Sequence, residues 1–550
     1  MRGVRHARWL TAAAVTALLA TACGPGPDGG AGAAGKDGGT FRFGVTEPKA
    51  IDPALASETT GLIVSEVVFT GLYRTAPDGK LEPRLAESAT ANDTCTEWTF
   101  KVRTGTTFTN GEPVDAEAFI RGWNRATSKP MASDIAYHLA GIKGFDEIQD
   151  GKADKLAGLS STGPDHLKVE LSSGDCEFDK KTGHTVFSPM PKAAGGPENK
   201  EFADQPIGNG PFKLDGKWDH NKKISLVRND GYGLKPAKLA RVEISLVNYF
   251  SMFDLEYQGF QTGEFDYAHV PTTQLTAAEA RYKPQGKWLH KDVNGQNYLL
   301  PITDQGPLKT KEARLAVSYA IDRAKIAKSL YQGYQKPASS IVPPALPDSY
   351  QEGLCASCLA PDPAKARELA KAGGLTPGTR LTLAFNTGVG HEDWIQAVGK
   401  QLEDVLGIVV EVKGLPFPEL LEKEHAPDAT GLFRYSWGAD YPTPDNYLFP
   451  MLHSSSIAKE DNGTVGGDNT GRYSNPEFDK VIEQARATKD EAARIALYKQ
   501  AEKIAMDDMA LIPTFNRSEY RLVATDKFDG LDDIGFGETP VLEEISLKRK

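Results

Sequence analysis

No apolar run in this sequence is long enough to cross a bilayer as a permanent helix, which takes about 20 residues. The one clear run, Trp9 to Ala20, falls short, and a mean hydropathy of −0.40 excludes a polytopic membrane protein. There is no long block of like charge either. The 63 basic and 74 acidic residues leave a net charge of −11, whereas phosphate recognition calls for a basic face, so no nucleic-acid partner is expected. The 10 histidines are scattered, and the LAPDPAKAREL that follows Cys355 and Cys358 supplies no further zinc ligand. G-x-S-x-G and P-loop patterns are missing. His391-Glu392 starts like a zinc-protease motif but no second histidine follows. Ser456 to Lys459 is an S-x-x-K and Lys181-Thr182-Gly183 a K-T-G, yet their order is the reverse of that in penicillin-recognising serine enzymes, with no S-D-N between them. None of the common hydrolase motifs is complete, and neither a catalytic residue nor a cofactor nor a metal ion is expected.

What is present is a 550-residue chain with 40% hydrophobic, 25% charged and 9% aromatic residues, too long for one ordinary core and enough for two lobes. At its start Arg2, Arg5 and Arg8 precede the short apolar run, and Ala20-Thr21-Ala22 puts small residues before Cys23. Residues 1–22 read as a secretion signal. The cysteine after small residues resembles a bacterial lipobox, departing from it at Ala20, where Leu is usual, so Cys23 is expected to be lipidated. A conventional cleavage near Cys23 is the alternative. Residues 23–39 (CGPGPDGGAGAAGKDGG) have the composition of a flexible tether. Lipidation would place the chain on the outer face of the cytoplasmic membrane, held through its anchor only. The remaining four cysteines form an even set, which in an exported chain favours disulfides. Cys95 adjoins the strand-like TEWTFKVR and Cys176 follows the strand-like HLKVEL, so Cys95–Cys176 and Cys355–Cys358 is the pairing expected among three connectivities.

Strand and helix patterns alternate along the rest of the chain, which gives an α/β fold. GTFRFGV, KISLVRND, ARVEISLV and FDYAHV read as strands. IVSEVVFTGLY (63–73) and PVDAEAFIRGWNRA (113–126) read as helices, the latter with Phe119, Trp123 and Ala126 on one face. After about residue 293 the rhythm resets: NYLLPIT is strand-like and TKEARLAVSYAIDRAKIAKSLYQG reads as one long helix. Further helices and strands follow, and the chain from about Thr514 is free to return to the first lobe.

Several of these segments, in order, resemble the oligopeptide-, dipeptide- and nickel-binding proteins of ABC importers, the family 5 solute-binding proteins. They include LEPRLAES (81–88), WTFKVRTGTTFTNGEPVDAEAFIRGWNRA (98–126), GNGPFKL (208–214), WGADYPTPDNYL (437–448) and RYSNPEFDKVIEQA (472–485). The resemblance implies a two-lobed, periplasmic-binding-protein-like α/β fold of type II with a ligand cleft between the lobes. Lobe I would comprise 40–292 plus 515–550, with an extra subdomain at about 55–200, and lobe II 293–514.

The function it implies is that of a monomeric, lipid-anchored subunit that captures short peptides and delivers them to a permease. An oligosaccharide or other small solute, or a nickel complex, is the alternative ligand; a sensory lipoprotein or a secreted hydrolase is the alternative class. By the match to the family's W-x-A-D motif, Asp440 would pair with a peptide's α-ammonium, between Trp437 and Tyr441 as apolar walls. Arg434 would meet the C-terminal carboxylate. Glu47 and Pro48 at the end of the first strand, Phe417 from the second lobe and Tyr298 near the hinge are further candidate contacts. His425 stands where some peptide binders place another carboxylate-binding Arg. Trp394, Phe417 and Trp437 leave an oligosaccharide platform open.

Overall fold

A computed structural model describes residues 37–550 except 249–250, 458, 462–463, 533, 535–539 and 550. The expected signal segment, the lipobox cysteine and nearly all of the tether lie outside the described residues. Among the described residues no helix is long and apolar enough to cross a membrane.

The backbone of the fold is an 11-stranded sheet, and two long strands at its middle, Trp288–Pro301 and Ile512–Val523, run antiparallel through it. On one side of this pair the sheet continues through Tyr267–His269, Thr40–Val45, Arg241–Leu246, Lys223–Arg228 and Phe212–Leu214; on the other through Leu432–Gly438, Arg380–Asn386 and Val409–Leu415. Each half buries its own core. One draws its residues from 298–515, around Tyr298, Trp394, Tyr447 and Phe515; the other from 41–69, 190–267 and 523–545, around Phe41, Phe212 and Ile244. A third core at residues 54–187 belongs to a separate four-stranded sheet.

The central strand pair is irregular where the halves meet. Its register shifts between Asp292 and Gln296 and again between Asn297 and Tyr298, and bulges bend and twist a strand locally. The reset read at residue 293 is therefore a bulge inside one continuous strand, not a break between elements.

Local chemistry explains most element ends. The helix Ala116–Thr127 starts at Asp115, whose carboxylate accepts from the Ala118 N–H at 2.9 Å, and buries Phe119, Trp123 and Ala126 along one face. The segment expected as one long helix is two, Lys311–Ala320 and Arg323–Leu330. Asp322 accepts from the Lys325 N–H at 2.8 Å and caps a new start, while Arg323 turns fully inward to donate to the carbonyls of Pro513, Ser318 and Ser357. Burying that guanidinium among backbone oxygens requires the break. The helix expected at 63–73 instead spans Thr59–Val68, and Tyr73 already belongs to a strand.

Both disulfides join the expected partners. The first sits beside strands Glu97–Val102 and His166–Glu170, which pair antiparallel with Glu97 opposite Glu170. It closes a separation of 81 residues against 3 for the second. The chain-entropy argument makes long closures count most, so replacing Cys95 and Cys176 by serine is expected to cost about 2–5 kcal/mol and the Cys355, Cys358 pair much less. Thermal melting of the two double variants reads the difference; equal losses would contradict it.

Candidate functional site

The strand Leu432–Gly438 lies antiparallel to Trp288–Pro301 and carries Arg434, Tyr435 and Trp437. Its pairing ends at Gly438 opposite Gly295, and the Ala439 N–H then donates to the carbonyl of Asn294, in the bulge, at 3.1 Å. The chain turns there and enters the helix Asp445–Leu452.

Asn446, fully buried in that helix, organises the turn. Its side-chain oxygen accepts from the Asp440 backbone N–H at 2.9 Å and from Trp437 Nε1 at 2.8 Å, and its Nδ2 donates to Asp440 Oδ2 at 3.1 Å. Asp440 and Trp437 are thus held by one amide. Burial pushes the Asp440 carboxyl up to about 6 against the opposing bond from Asn446, so at neutral pH it is ionised in a setting that would favour a cationic partner.

Facing it are His138 and His184, whose rings stack with centroids 4.4 Å apart. His138 Nε2 lies 3.8 Å from Asp440 Oδ2. The ligand-capable atoms of His138, His184 and Asp440 all fall within 4.8 Å of one another, which raises a metal ion as an occupant. The hydrogen bonding of His184 argues otherwise. Its Nδ1 accepts from the Val186 N–H at 3.2 Å, so Nε2 keeps the proton and the ring has no lone pair left for a metal. Burial lowers the titration of His184 to about 4 and that of His138 well below the usual range. Both rings are neutral at physiological pH and do not quench the Asp440 charge.

Tyr441 is buried beside this group, its hydroxyl donating to Asp445 Oδ2 at 3.0 Å and its ring under the Lys181 ammonium at 5.2 Å. Here two distant stretches of chain share a buried ion network. Lys181 Nζ meets Asp175 Oδ2 at 2.6 Å and Asp445 Oδ2 at 2.9 Å, and Arg486 Nη2 meets the same Asp175 oxygen at 2.9 Å. Tyr498 lies 3.1 Å from Glu177 Oε2 and 3.3 Å from Asp445 Oδ1, and Arg494 lies 3.3 Å from Glu177 Oε1. Burial alone would push Asp175 up, but the charges of Lys181 and Arg486 hold it well below the usual carboxylate range. The lysine of the K-T-G triplet is thus committed to an ion network.

A cavity of about 140 Å³ opens beside Asp440, lined also by His184, Glu66, Tyr73, Arg84 and Glu543. Two more carboxyls nearby are pushed up to about 7 by burial: Asp468, which accepts from Tyr137, and Glu424, which accepts from Thr470 at 2.7 Å.

The other candidates are placed less uniformly. Arg434 donates from Nη2 to Asn297 Oδ1 at 3.1 Å and from Nη1 to Asn386 Oδ1 at 3.4 Å, on the same strand as Trp437. Phe417 is 38% exposed at the start of the helix Phe417–His425. Glu47 is engaged elsewhere, with His220 Nδ1 at 2.8 Å and the Asn221 N–H at 2.9 Å, and Pro48 beside it is buried. Tyr298 must be withdrawn as a contact: it is fully buried and its hydroxyl donates to the Ile341 carbonyl at 2.6 Å. His425 bonds its own helix at the Leu421 carbonyl, 2.7 Å away. Trp394 is core, edge-on to Phe515, which removes one member of the aromatic platform. Reading the sequence missed Asn446, His138 and His184. Asn446 stands inside the WGADYPTPDNYL run, where an amide in the first helical turn after a Pro was a usable signal. The two histidines lie some 300 and 250 positions before Asp440, and nothing local marks them.

Comparison with known proteins agrees with this architecture. The family model described as bacterial extracellular solute-binding proteins, family 5 Middle, matches residues 80–459. The oligopeptide-binding protein OppA of Bacillus subtilis (strain 168) is 30% identical over 531 residues, covering 92% of this chain and 94% of that protein. The structure of the Escherichia coli murein tripeptide binding protein MppA superposes with a TM-score of 0.79 at 25% identity, over 94% of this chain and 99% of that one. An unliganded open form of MppA gives a TM-score of 0.69 at 25% identity, over 92% and 97%.

Proposed function

We infer that this chain, which belongs to the family 5 bacterial extracellular solute-binding proteins, captures short peptides outside the membrane and hands them to the permease of an ABC importer. Family 5 proteins carry their substrates without transforming them, so no reaction is sought. The carrying observation is Asp440: a partly buried carboxylate fixed by Asn446, facing neutral histidines, at the rim of a cavity. A peptide's α-ammonium suits it, because a charge-assisted bond satisfies the carboxylate without a metal. Trp437 offers an apolar wall, whereas Tyr441 is withdrawn as a contact because it is buried against Asp445 and Lys181, and Arg434 on the same strand as Trp437 offers a planar fork to the far carboxylate. The oligopeptide and murein tripeptide named for the two relatives are the ligand class this chemistry fits.

The lobes we assign are 40–292 with 515–550, including the subdomain at about 55–200, and 293–514. The bulged crossing strands serve as the hinge. Capture then proceeds by closure, which only a ligand touching both lobes can favour. We take the arrangement to be a closed one on the buried ion network that runs from Asp175 to Arg486 across the assigned lobe boundary; of the two MppA structures the unliganded open form is the poorer match. Lipidation at Cys23, a Gly-rich tether, a monomeric state and permease docking complete the proposal.

Native purification of the chain from residue 37 onward, followed by mass spectrometry of what it releases, tests the ligand class. Short peptides are expected; a sugar or a metal complex would overturn the assignment. Affinity has a pH signature too. As pH falls through about 6 Asp440 gains a proton and loses its charge, while the peptide's ammonium stays charged, so binding weakens. Above about pH 8 the α-amine deprotonates and binding weakens again. Calorimetric titration across this range checks the two limbs, and a flat profile would remove the ion pair from the account.

A further inference from the structure

The helix Thr59–Val68 buries Ile63, Val64, Val67 and Val68, and its exposed Glu66 lines, with Ile63 and Val67, the cavity that Asp440 also lines. Among the described residues Glu66 makes no hydrogen bond and no ion pair, although the cavity holds two arginines. Those are already matched: Arg74 pairs with Glu82 and with Glu543, and Arg84 with the same Glu543. The placement is also poor for the helix, because a carboxylate in the last turn opposes the helix dipole. Glu66 is accessible to solvent, yet protein packed around it pushes its carboxyl up to about 7 against the pull of Arg74. The other titratable groups lining the cavity are Tyr73, Arg74, Arg84, His184, Asp440 and Glu543. Of the carboxylates, Glu543 is paired by the two arginines and Asp440 is taken by the α-ammonium.

We propose that Glu66 forms a second cation subsite beside Asp440, so that the ligands held best are peptides whose first residue carries a basic side chain, lysine or arginine. This rests on the peptide reading above and adds to it a preference. The α-ammonium and the side-chain cation of one N-terminal lysine would reach the two carboxylates lining the cavity. A volume of about 140 Å³ accommodates such a side chain with water.

The test compares three tripeptides, Lys-Ala-Ala, norleucine-Ala-Ala and Glu-Ala-Ala, by calorimetry at about pH 8, where Glu66 is ionised. Wild type is expected to hold Lys-Ala-Ala about tenfold or more above norleucine-Ala-Ala, which matches the lysine in shape without its charge. Glu66→Gln is expected to abolish that preference while leaving norleucine-Ala-Ala within about twofold of wild type. Glu66→Lys is expected to rank Glu-Ala-Ala above Lys-Ala-Ala, and unchanged melting of both variants shows that the fold persists. Equal affinities in wild type, or a lysine preference that survives Glu66→Gln, would overturn the subsite and leave the peptide reading intact. Binding of none of the three by wild type would overturn both.

Discussion

Replacing Asp440 by alanine is expected to weaken the binding of any peptide with a free amino terminus by about 10- to 150-fold, the range set by about 1.5–3 kcal/mol for a hydrogen bond to a charged group. The loss has a selectivity that a merely structural role lacks. A peptide acetylated at its amino terminus has no ammonium to offer, so it should bind wild type weakly and be indifferent to the substitution. Asp440→Asn keeps the shape and the Asn446 contacts but removes the charge, and should behave like alanine toward free peptides. Asn446→Ala frees three hydrogen bonds that hold Asp440 and Trp437, so it should weaken binding through misplacement with the carboxylate still present. Calorimetry on free and acetylated forms of one peptide separates these cases. Equal losses for the two forms would show that Asp440 supports the loop rather than the ligand.

The second large effect concerns the buried ion network. Arg486→Met leaves Asp175 and Asp445 facing the single ammonium of Lys181. Removing one member of a buried charged set typically costs about 3–5 kcal/mol, because the partners stay desolvated without compensation. Asp175 and Lys181 belong to the subdomain we assign to lobe I, and Asp445 and Arg486 to lobe II, so the cost should fall largely on the closed state. The variant is expected to bind peptide more weakly as well as to melt lower. Adding Asp175→Asn should recover part of both losses, since the uncompensated charge is then removed, and the double-mutant cycle measures the coupling. Lower melting with unchanged affinity would place the network in the fold alone.

Much of this was legible beforehand because the signals were local. Asp115 before an apolar face at Phe119, Trp123 and Ala126 marks a helix whatever surrounds it. The alternation in Thr40–Val45 and Arg241–Leu246 marks strands in the same way. What failed depended on distant partners. The helix expected through Asp322 breaks because Arg323 finds carbonyls on residues 34 and 190 positions away. Tyr298, next to the bulge, had the look of a hinge contact and is core, since the strand's pleat turns that position inward. Asp440 stood out through a motif, whereas the histidines that face it and the Glu66 that shares its cavity carry no pattern of their own. The fold packs chain regions some 250 to 375 positions apart against one another, and a sequence read in windows does not show that.

The most direct measurement is a crystal structure of the protein with a bound tripeptide. The account predicts the peptide enclosed between the two lobes, its α-ammonium about 3 Å from Asp440 Oδ2 and its carboxylate toward Arg434. A peptide in the reverse direction, or one seated away from Asp440, would contradict it.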